Sequence, residues 1–511
     1  MTAKKRYLVQ VPTHVRHAAG FALEDVVAGL AADTTVRVGK SGSRVLELDD
    51  SEREALLRAY PGLLIEEDQE LRLLGSMPSL GFQVAADAGQ VLIVFVVDAQ
   101  TDKPIAGVTV FAKGRQATYR AETARDGKAS VTVYEAGIEY LIVSPAAQYW
   151  SRVVAAPAPG AAVKVGLTPL QPAGAAEWGR SFLGLDADFP FRGQGVKVAL
   201  IDSGVAEHPD LLVAGGLNTL DGEDPHDFRR DEKGHGTHCA GILAGRGAQA
   251  GVLGVAPDVE LFSVKVFPGG RLSDLLEGLQ WAIDNGMDVV SMSLGTRSAS
   301  GQLAMKLAEA VQQGIVLVAA VGNDSSTVSY PAAHDGVMGV AAFGSSRAFP
   351  PDSAHALRIG EWHNADTGLF VANFSNQGAQ TAFIAPGVAV LSSGPAGYAA
   401  WDGTSMACPY VAGLAALVLG AHLSLFERNL QRVQAVHQLL AAGSTDLGLP
   451  PEVQGAGVPR ADAVLRDLLS HSQAAVLLAV SQQDSLRQLE PLIADLQGKQ
   501  HEIVALLAQL G

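Results

Sequence analysis

The chain has 511 residues, a formal net charge of −16 and only 18% charged residues, which is too long for one ordinary core and too apolar for a disordered protein. The acidic balance argues against nucleic acid or a membrane as partner, because those surfaces are bound by clustered Lys and Arg. Two cysteines, Cys239 and Cys408, cannot build a disulfide framework and are expected as free thiols. The opening "MTAKKRYLVQVPTHVRHAAG" lacks an apolar core of signal-peptide length, so the expected location is the cytoplasm, or outside by a route without a classical signal peptide.

Residues 1–76 read as a small α+β domain: a strand at "RYLVQV", a helix around "ALEDVVAGLA", strands at "TVRVG" and "RVLELD", a helix at "SEREALLRAYPG", and a final strand in "LLIEEDQELRLL". The second helix is expected to take Ser51 as its N-cap and to stop at Pro61-Gly62. Over 80–170 the period becomes that of strands. "VLIVFVVDA", "GVTVFAK", "ATYRAETA", "ASVTVYE", "YLIVSPA" and "AVKVGLTP", separated by turn signals such as "TDKP" and "RDGK", predict a β-sandwich.

From 175 to 467 apolar strands alternate with helices, which predicts a parallel sheet covered on both faces. "GVKVALIDSG" is a buried strand ending at Asp202. "SDLLEGLQWAIDNG" is a helix with Ser273 as N-cap and Gly286 as its stop, feeding the strand "MDVVSMSLG"; "QLAMKLAEAVQQG" feeds "IVLVAAVGN" in the same way. Polar residues thus gather at the carboxyl ends of strands, where open α/β sheets carry their sites. The tail, 468–511, carries two apolar-striped helical segments, expected to pack on their own protein or to support self-association.

A serine hydroxyl is a poor nucleophile at neutral pH, so acyl transfer requires a base beside it, an anion orienting that base and donors for the oxyanion. "IDSGV" supplies Asp202, "GHGTHCAG" supplies His235 at a helix start, and "GTSMACP" supplies Ser405 at another. Ser405 at a helix N-terminus offers its own N–H to a developing anion, and Asn323 in "LVAAVGND" is a second candidate donor. Pro409 is expected in the first turn of the serine's helix, where a missing N–H costs little.

"DSG" at 202, "HGTHCAG" at 235, "SLG" at 293, "GN" at 322 and "GTSMA" at 403 resemble the subtilisin-like serine proteases in residue type and chain order. The resemblance implies a serine endopeptidase acting on peptides or proteins, with Ser405 as nucleophile, His235 as general base and then acid, and Asp202 orienting His235. Asn323 and the Ser405 N–H would hold the oxyanion. Ser293, Leu294 and Gly295 would lend an edge strand to an extended substrate, with Thr296 on the wall and Ser329 on the floor of the primary pocket; a shallow pocket for Leu, Met or Ala is expected. Residues up to 74 are similar to the family's propeptide, which implies a self-processing zymogen inhibited by its own N-terminal domain and cut near 74–77, Leu74 being favoured over Met77 because Pro78 follows the latter. The middle block is similar to transthyretin-like sandwiches appended to carboxypeptidases.

Other positions depart from the family or stay outside its chemistry. Ala248 stands in "AGRGAQAGVLGVAP" where many relatives supply an amide oxygen, leaving Asp210 as an isolated hard ligand, so no calcium site and no other cofactor is predicted there. His355, Glu361, His363 and Asp366, in the insertion 344–372, are irregularly spaced and read as a solvated surface loop; His226 and Asp227 read likewise. His238 is expected as a structural hydrogen-bonder, and both cysteines as buried packing groups. Against the protease stands a scaffold whose preserved fold is held shut by the N-terminal domain. An esterase or peptide ligase would share the acyl-enzyme.

Overall fold

The computed structural model describes residues 3–11, 23, 26, 35–39, 43–74, 89–157, 162–171, 177–248, 251–422 and 427–468. The chain divides into two units, Met1–Val464 and Leu465–Gly511. The first helix expected near the N-terminus and the two expected in the tail lie essentially outside the described residues.

The first sheet is antiparallel, in the order Thr35–Val38, Arg44–Leu48, Lys5–Gln10 and Leu64–Glu67. Tyr7, Val9, Leu46 and Leu48 alternate along their strands and meet Leu56 of the helix Asp50–Ala59 in one small core. That helix begins two residues earlier than its serine suggested. Asp49 is the N-cap, in a capping box with Glu52, because a carboxylate preceding the first turn accepts the free N–H of the third helical residue.

Two sheets form the sandwich: Arg152–Ala155, Ile138–Ser144, Thr109–Gly114 and Thr118–Glu122 on one side, with Ala162–Leu167, Gln90–Asp98 and Lys128–Val133 on the other. Leu92, Val94 and Val96 point inward at a period of two and join Val108, Val110 and Leu141. Arg152–Ala155 is a strand that its short, half-buried sequence did not announce.

The largest sheet runs Val213–Asn218, Glu260–Lys265, Lys197–Asp202, Val289–Met292, Val316–Ala320 and Val337–Ser345, all parallel. Val198 to Ile201 are fully buried, as a strand covered on both faces must be. Thr381–Pro386 joins Val337–Ser345 in parallel, and Leu369–Ala372 and Ile359–His363 extend the sheet as an antiparallel hairpin. The insertion therefore forms two ordered strands rather than a plain loop. Within it His355 is buried, while Glu361, His363 and Asp366 are exposed.

The helix Thr404–Ala421 is long and apolar enough to cross a membrane by composition, yet it is 89% buried and lies in this protein's core. Pro409 falls inside it, beyond the first turn. The carbonyl it leaves unbonded is that of Ser405, one α-helical hydrogen bond back. The Ser293 hydroxyl (2.9 Å) and the Cys239 thiol (3.4 Å) both donate to that oxygen, so the break in the ladder is filled by side chains.

Candidate active site

Asp202 ends its strand and His235 begins the helix His235–Ala244. Gly234 enters that helix in the left-handed region, φ 69°, which only glycine adopts without strain. Gly236 allows the close approach, since a Cβ there would lie 2.1 Å from the Gly204 carbonyl oxygen and 3.1 Å from the Asp202 Cβ. His235 Nδ1 and Asp202 Oδ1 are 2.7 Å apart, and both side chains are buried.

Burial disfavours the charged form of His235, but the charge and hydrogen bond of Asp202, with Asp231 farther off, outweigh it and raise the imidazole above its ordinary value of 6.5. The orienting bond fixes the ring with Nδ1 toward the carboxylate and Nε2 toward the cleft. Nε2 is buried and has no hydrogen-bond partner among the described residues.

Ser405 is the second residue of its helix and fully buried; its hydroxyl donates to the Ser293 carbonyl at 3.1 Å rather than to His235. The Ser405 N–H donates to the carbonyl oxygen of Leu74 at 3.2 Å, and Asn323 Nδ2 donates to the same oxygen. Asn323 is aimed by its other end, where Oδ1 accepts from the Thr404 N–H (2.9 Å) and hydroxyl (2.8 Å).

Residues 69–74 lie extended between two segments of the α/β domain. Arg72–Leu73 pairs antiparallel with Leu294–Gly295, and the Leu74 N–H reaches the Ser293 carbonyl at 3.3 Å. On the other side Leu71 N–H donates to Gly270 and Leu272 N–H to Gln69, each at 2.9 Å. The "ELRLL" strand is therefore no continuation of the N-terminal sheet but an added strand in the cleft.

Leu74 packs its side chain against Gly295, where a Cβ would come within 2.9 Å of Leu74 Cδ1 and 3.4 Å of the Ser329 Cβ. Gly295 thus lines the seat of Leu74, with Ser329 packed on Gly295. Thr296 is turned elsewhere: its hydroxyl donates to Gln69 Oε1 at 2.7 Å, at the far end of the strand from Leu74.

Two residues were passed over in the polar run before His235 and in the loop before Ser405. Asp231 is buried and accepts from the Gly234 and Thr237 N–H groups, the Thr237 hydroxyl and the Ser203 hydroxyl, capping the histidine's helix with a carboxylate. It stands three residues before the N-cap Gly234, outside the position where a capping side chain is read from sequence. Asp402 is held by residues distant in sequence, and no local pattern marks it.

Cys239 and Cys408 are buried free thiols. Cys239 Sγ lies 3.9 Å from His235 Nδ1, and ligand atoms of Asp202, His235 and Cys239 fall within 4.8 Å of one another. Burial pushes the Cys239 thiol well above its ordinary range, so it serves as a protonated donor to Ser405, not as a thiolate ligand. Burial also drives His238 down to about 3, leaving a neutral ring that bonds the Ala399 carbonyl.

Asp210, beside the loop where the resemblance implies calcium, is engaged by protein donors. Asp210 Oδ2 accepts from the Val252 N–H (2.7 Å) and the Tyr398 hydroxyl (3.0 Å), while Oδ1 is buried without a partner among the described residues. Ala248 adds no side-chain oxygen.

A peptide carbonyl held by two donors, one of them the N–H of a helix-terminal serine, and an imidazole fixed by a buried carboxylate, with Cys239 Sγ touching both the His235 ring and the Ser405 carbonyl, are the parts that acyl transfer needs. The chain is a serine endopeptidase. Residues 193–457 match the Subtilase family (peptidase S8), and the chain belongs to that family. Subtilisin DY of Bacillus licheniformis is 38% identical over 268 residues, 50% of this chain and 86% of its own length. Subtilisin BL of Lederbergia lenta is 39% identical over 280 residues, 54% and 92% respectively. Subtilisin E of Bacillus subtilis is 41% identical over 243 residues, 45% and 57%.

Proposed function

We propose that Ser405 is the nucleophile, His235 the general base and then acid, Asp202 its orienting anion, and Asn323 with the Ser405 N–H the oxyanion hole. We further propose that residues 1–74 are an intramolecular inhibitor that the enzyme removes by cutting after Leu74. The observation that carries this reading is the Leu74 carbonyl oxygen, shared by Asn323 Nδ2 and the Ser405 N–H.

Reaction begins when the Ser405 hydroxyl turns from the Ser293 carbonyl to His235 Nε2, a change of side-chain rotamer. The oxygen attacks the Leu74 carbonyl carbon as its proton passes to Nε2. The carbonyl oxygen becomes an oxyanion already facing its two donors. His235 then gives the proton to the departing nitrogen of Gly75, and water repeats the cycle on the acyl-enzyme.

The seat of Leu74 against Gly295 supports a preference for Leu, Met or Ala before the cut. Intact-mass analysis and N-terminal sequencing of purified wild-type chain and of Ser405→Ala test the reading. Wild type is expected to yield a chain beginning at Gly75 and to be labelled at Ser405 by a fluorophosphonate; Ser405→Ala is expected to stay whole. A wild-type chain neither cut nor labelled would favour the scaffold instead. The donors around Asp210 support the further proposal that no calcium is held at the 246–253 loop.

A further inference from the structure

The sandwich, outside the region that matches the family, reaches the segment carrying Ser405 along two routes. In the first, it grips the turn at 350–358. The Val153 N–H donates to the Asp352 carbonyl at 2.6 Å, Arg152 Nε to Asp352 Oδ2 at 2.8 Å, and Ser151 Oγ accepts from the Ala354 N–H at 3.1 Å. Trp150 meets the His355 ring edge to face, centroids 5.6 Å apart.

From that turn His355 Nδ1 bonds Asp402 Oδ1 (2.7 Å) and Arg358 Nε donates to Asp402 Oδ2 (3.1 Å). In the second route, the Gln148 N–H donates to the Tyr398 carbonyl at 2.7 Å, and Gln148 Nε2 to Ala396 at 3.0 Å. Both acceptors belong to or adjoin the hairpin Val390–Gly394 and Gly397–Trp401, whose last residue stacks on His238 at 4.6 Å.

We propose that the sandwich and the insertion together position the catalytic loop, with His355 and Arg358 as positioning residues that hold Asp402, and through it residues 403–405, in register with Asn323. The inference rests on the assignment of Ser405 as nucleophile. Asp402 is largely buried, its side chain 11% exposed, where a lone charge would be costly, and burial does oppose its ionisation. Its bonds to His355, Arg358 and the Ala389 N–H overcome this and keep its carboxyl at about 2, so it stays a charged anchor. A cavity of about 250 Å³ opens beside the same joint, lined by Phe111 and Tyr149 of the sandwich and by His355, Arg358, Trp401 and Asp402. Trp150 and Leu170 also pack with Val252, Leu391, Tyr398 and Ala400 in a small apolar cluster, so the coupling runs through the named bonds, the Trp150–His355 contact and that cluster.

The test uses the self-processed full chain and a chromogenic peptide ending in Leu. His355→Ala and Trp150→Ala are expected to lower kcat on the order of tenfold or more while KM stays within about twofold, because displacing a nucleophile slightly costs turnover more than binding. His355→Asn, whose amide can still donate to Asp402, is expected to recover most of the loss. Lys164→Ala, at an exposed sandwich ion pair, serves as the control and is expected to match wild type. Wild-type kcat in both alanine variants would overturn the proposal. So would a loss that merely tracks the fraction of sites titrated by a fluorophosphonate, or that His355→Asn fails to mend. A wild type that never turns over would overturn the assignment of Ser405 itself.

Discussion

His235 carries the sharpest expectation at the scale of single residues. Its raised value means that protonation, which removes the base, begins nearer neutrality than for a free imidazole. Activity should therefore rise with pH through a midpoint above 6.5 and fall away below it, as read from kcat/KM across pH 5 to 9. Asp202→Asn should lower kcat by about 10⁴ through loss of the correct tautomer. A midpoint below the ordinary value would contradict the pairing. The pair was legible in "IDSG" and "HGTH" because both motifs place polar groups at the ends of otherwise apolar elements. Asp402 was not, since its partners His355 and Arg358 sit in an insertion whose spacing follows neither helix nor strand.

At the scale of elements, helix starts show what local sequence conceals. Leu272–Asp284 does not begin on a Ser273 cap: the Ser273 N–H and hydroxyl both donate to Asp68 of the N-terminal domain, at 2.9 and 3.0 Å. Gly301–Gln312 does carry its own serine cap, Ser300, yet Glu66 also accepts from the Ser300 hydroxyl and the Gly301 N–H. Two carboxylates two residues apart thus face two helix N-termini, each adding charge where the dipole favours it. The strand "LLIEEDQELRLL" announced its acidity, but the partners lie more than 200 positions away, beyond any window of local pattern.

Arg37, bonded to Asp274 and Thr219, and Arg6, paired with Asp221, widen the same contact. Hydrogen bonds to a charged group contribute about 1.5–3 kcal/mol, so, given the proposed cut after Leu74, Asp68→Ala should weaken the hold of the released N-terminal segment roughly tenfold or more. The expected sign is a shorter lag before peptidase activity appears in freshly purified chain. An unchanged lag in Asp68→Ala and Glu66→Ala alike would show that the grip resides in the cleft strand.

At the scale of the molecule, the α/β sheet was the most legible part, because buried parallel strands between amphipathic helices leave a strong period in the sequence. The joints between its parts were the least legible. They are built from scattered polar atoms, such as Arg152 on Asp352 or Tyr398 on Asp210, which carry no period at all. The Tyr398 hydroxyl, pushed up to about 12 by burial and by Asp210, remains a donor at every working pH. Asp210→Asn should consequently leave the response of Tm to EDTA as it is in wild type, whereas Tyr398→Phe should cost about 1–3 kcal/mol of stability, both read by thermal unfolding with and without EDTA. An EDTA effect that Asp210→Asn abolishes would refute the proposal about the loop.

Most bonds gripping residues 69–74 go to main-chain atoms, which all polypeptides share; the Gln69 and Glu70 side chains add one each. What the cleft demands is shape: a stretch of about six residues pulled straight, some 20 Å long, with both edges bare. Helices and inner strands of a compact protein have already spent those edges on themselves. The enzyme should accordingly nick linkers, frayed ends and unfolded chains while passing over well-packed domains, and its selectivity would lie as much in the foldedness of a target as in its sequence.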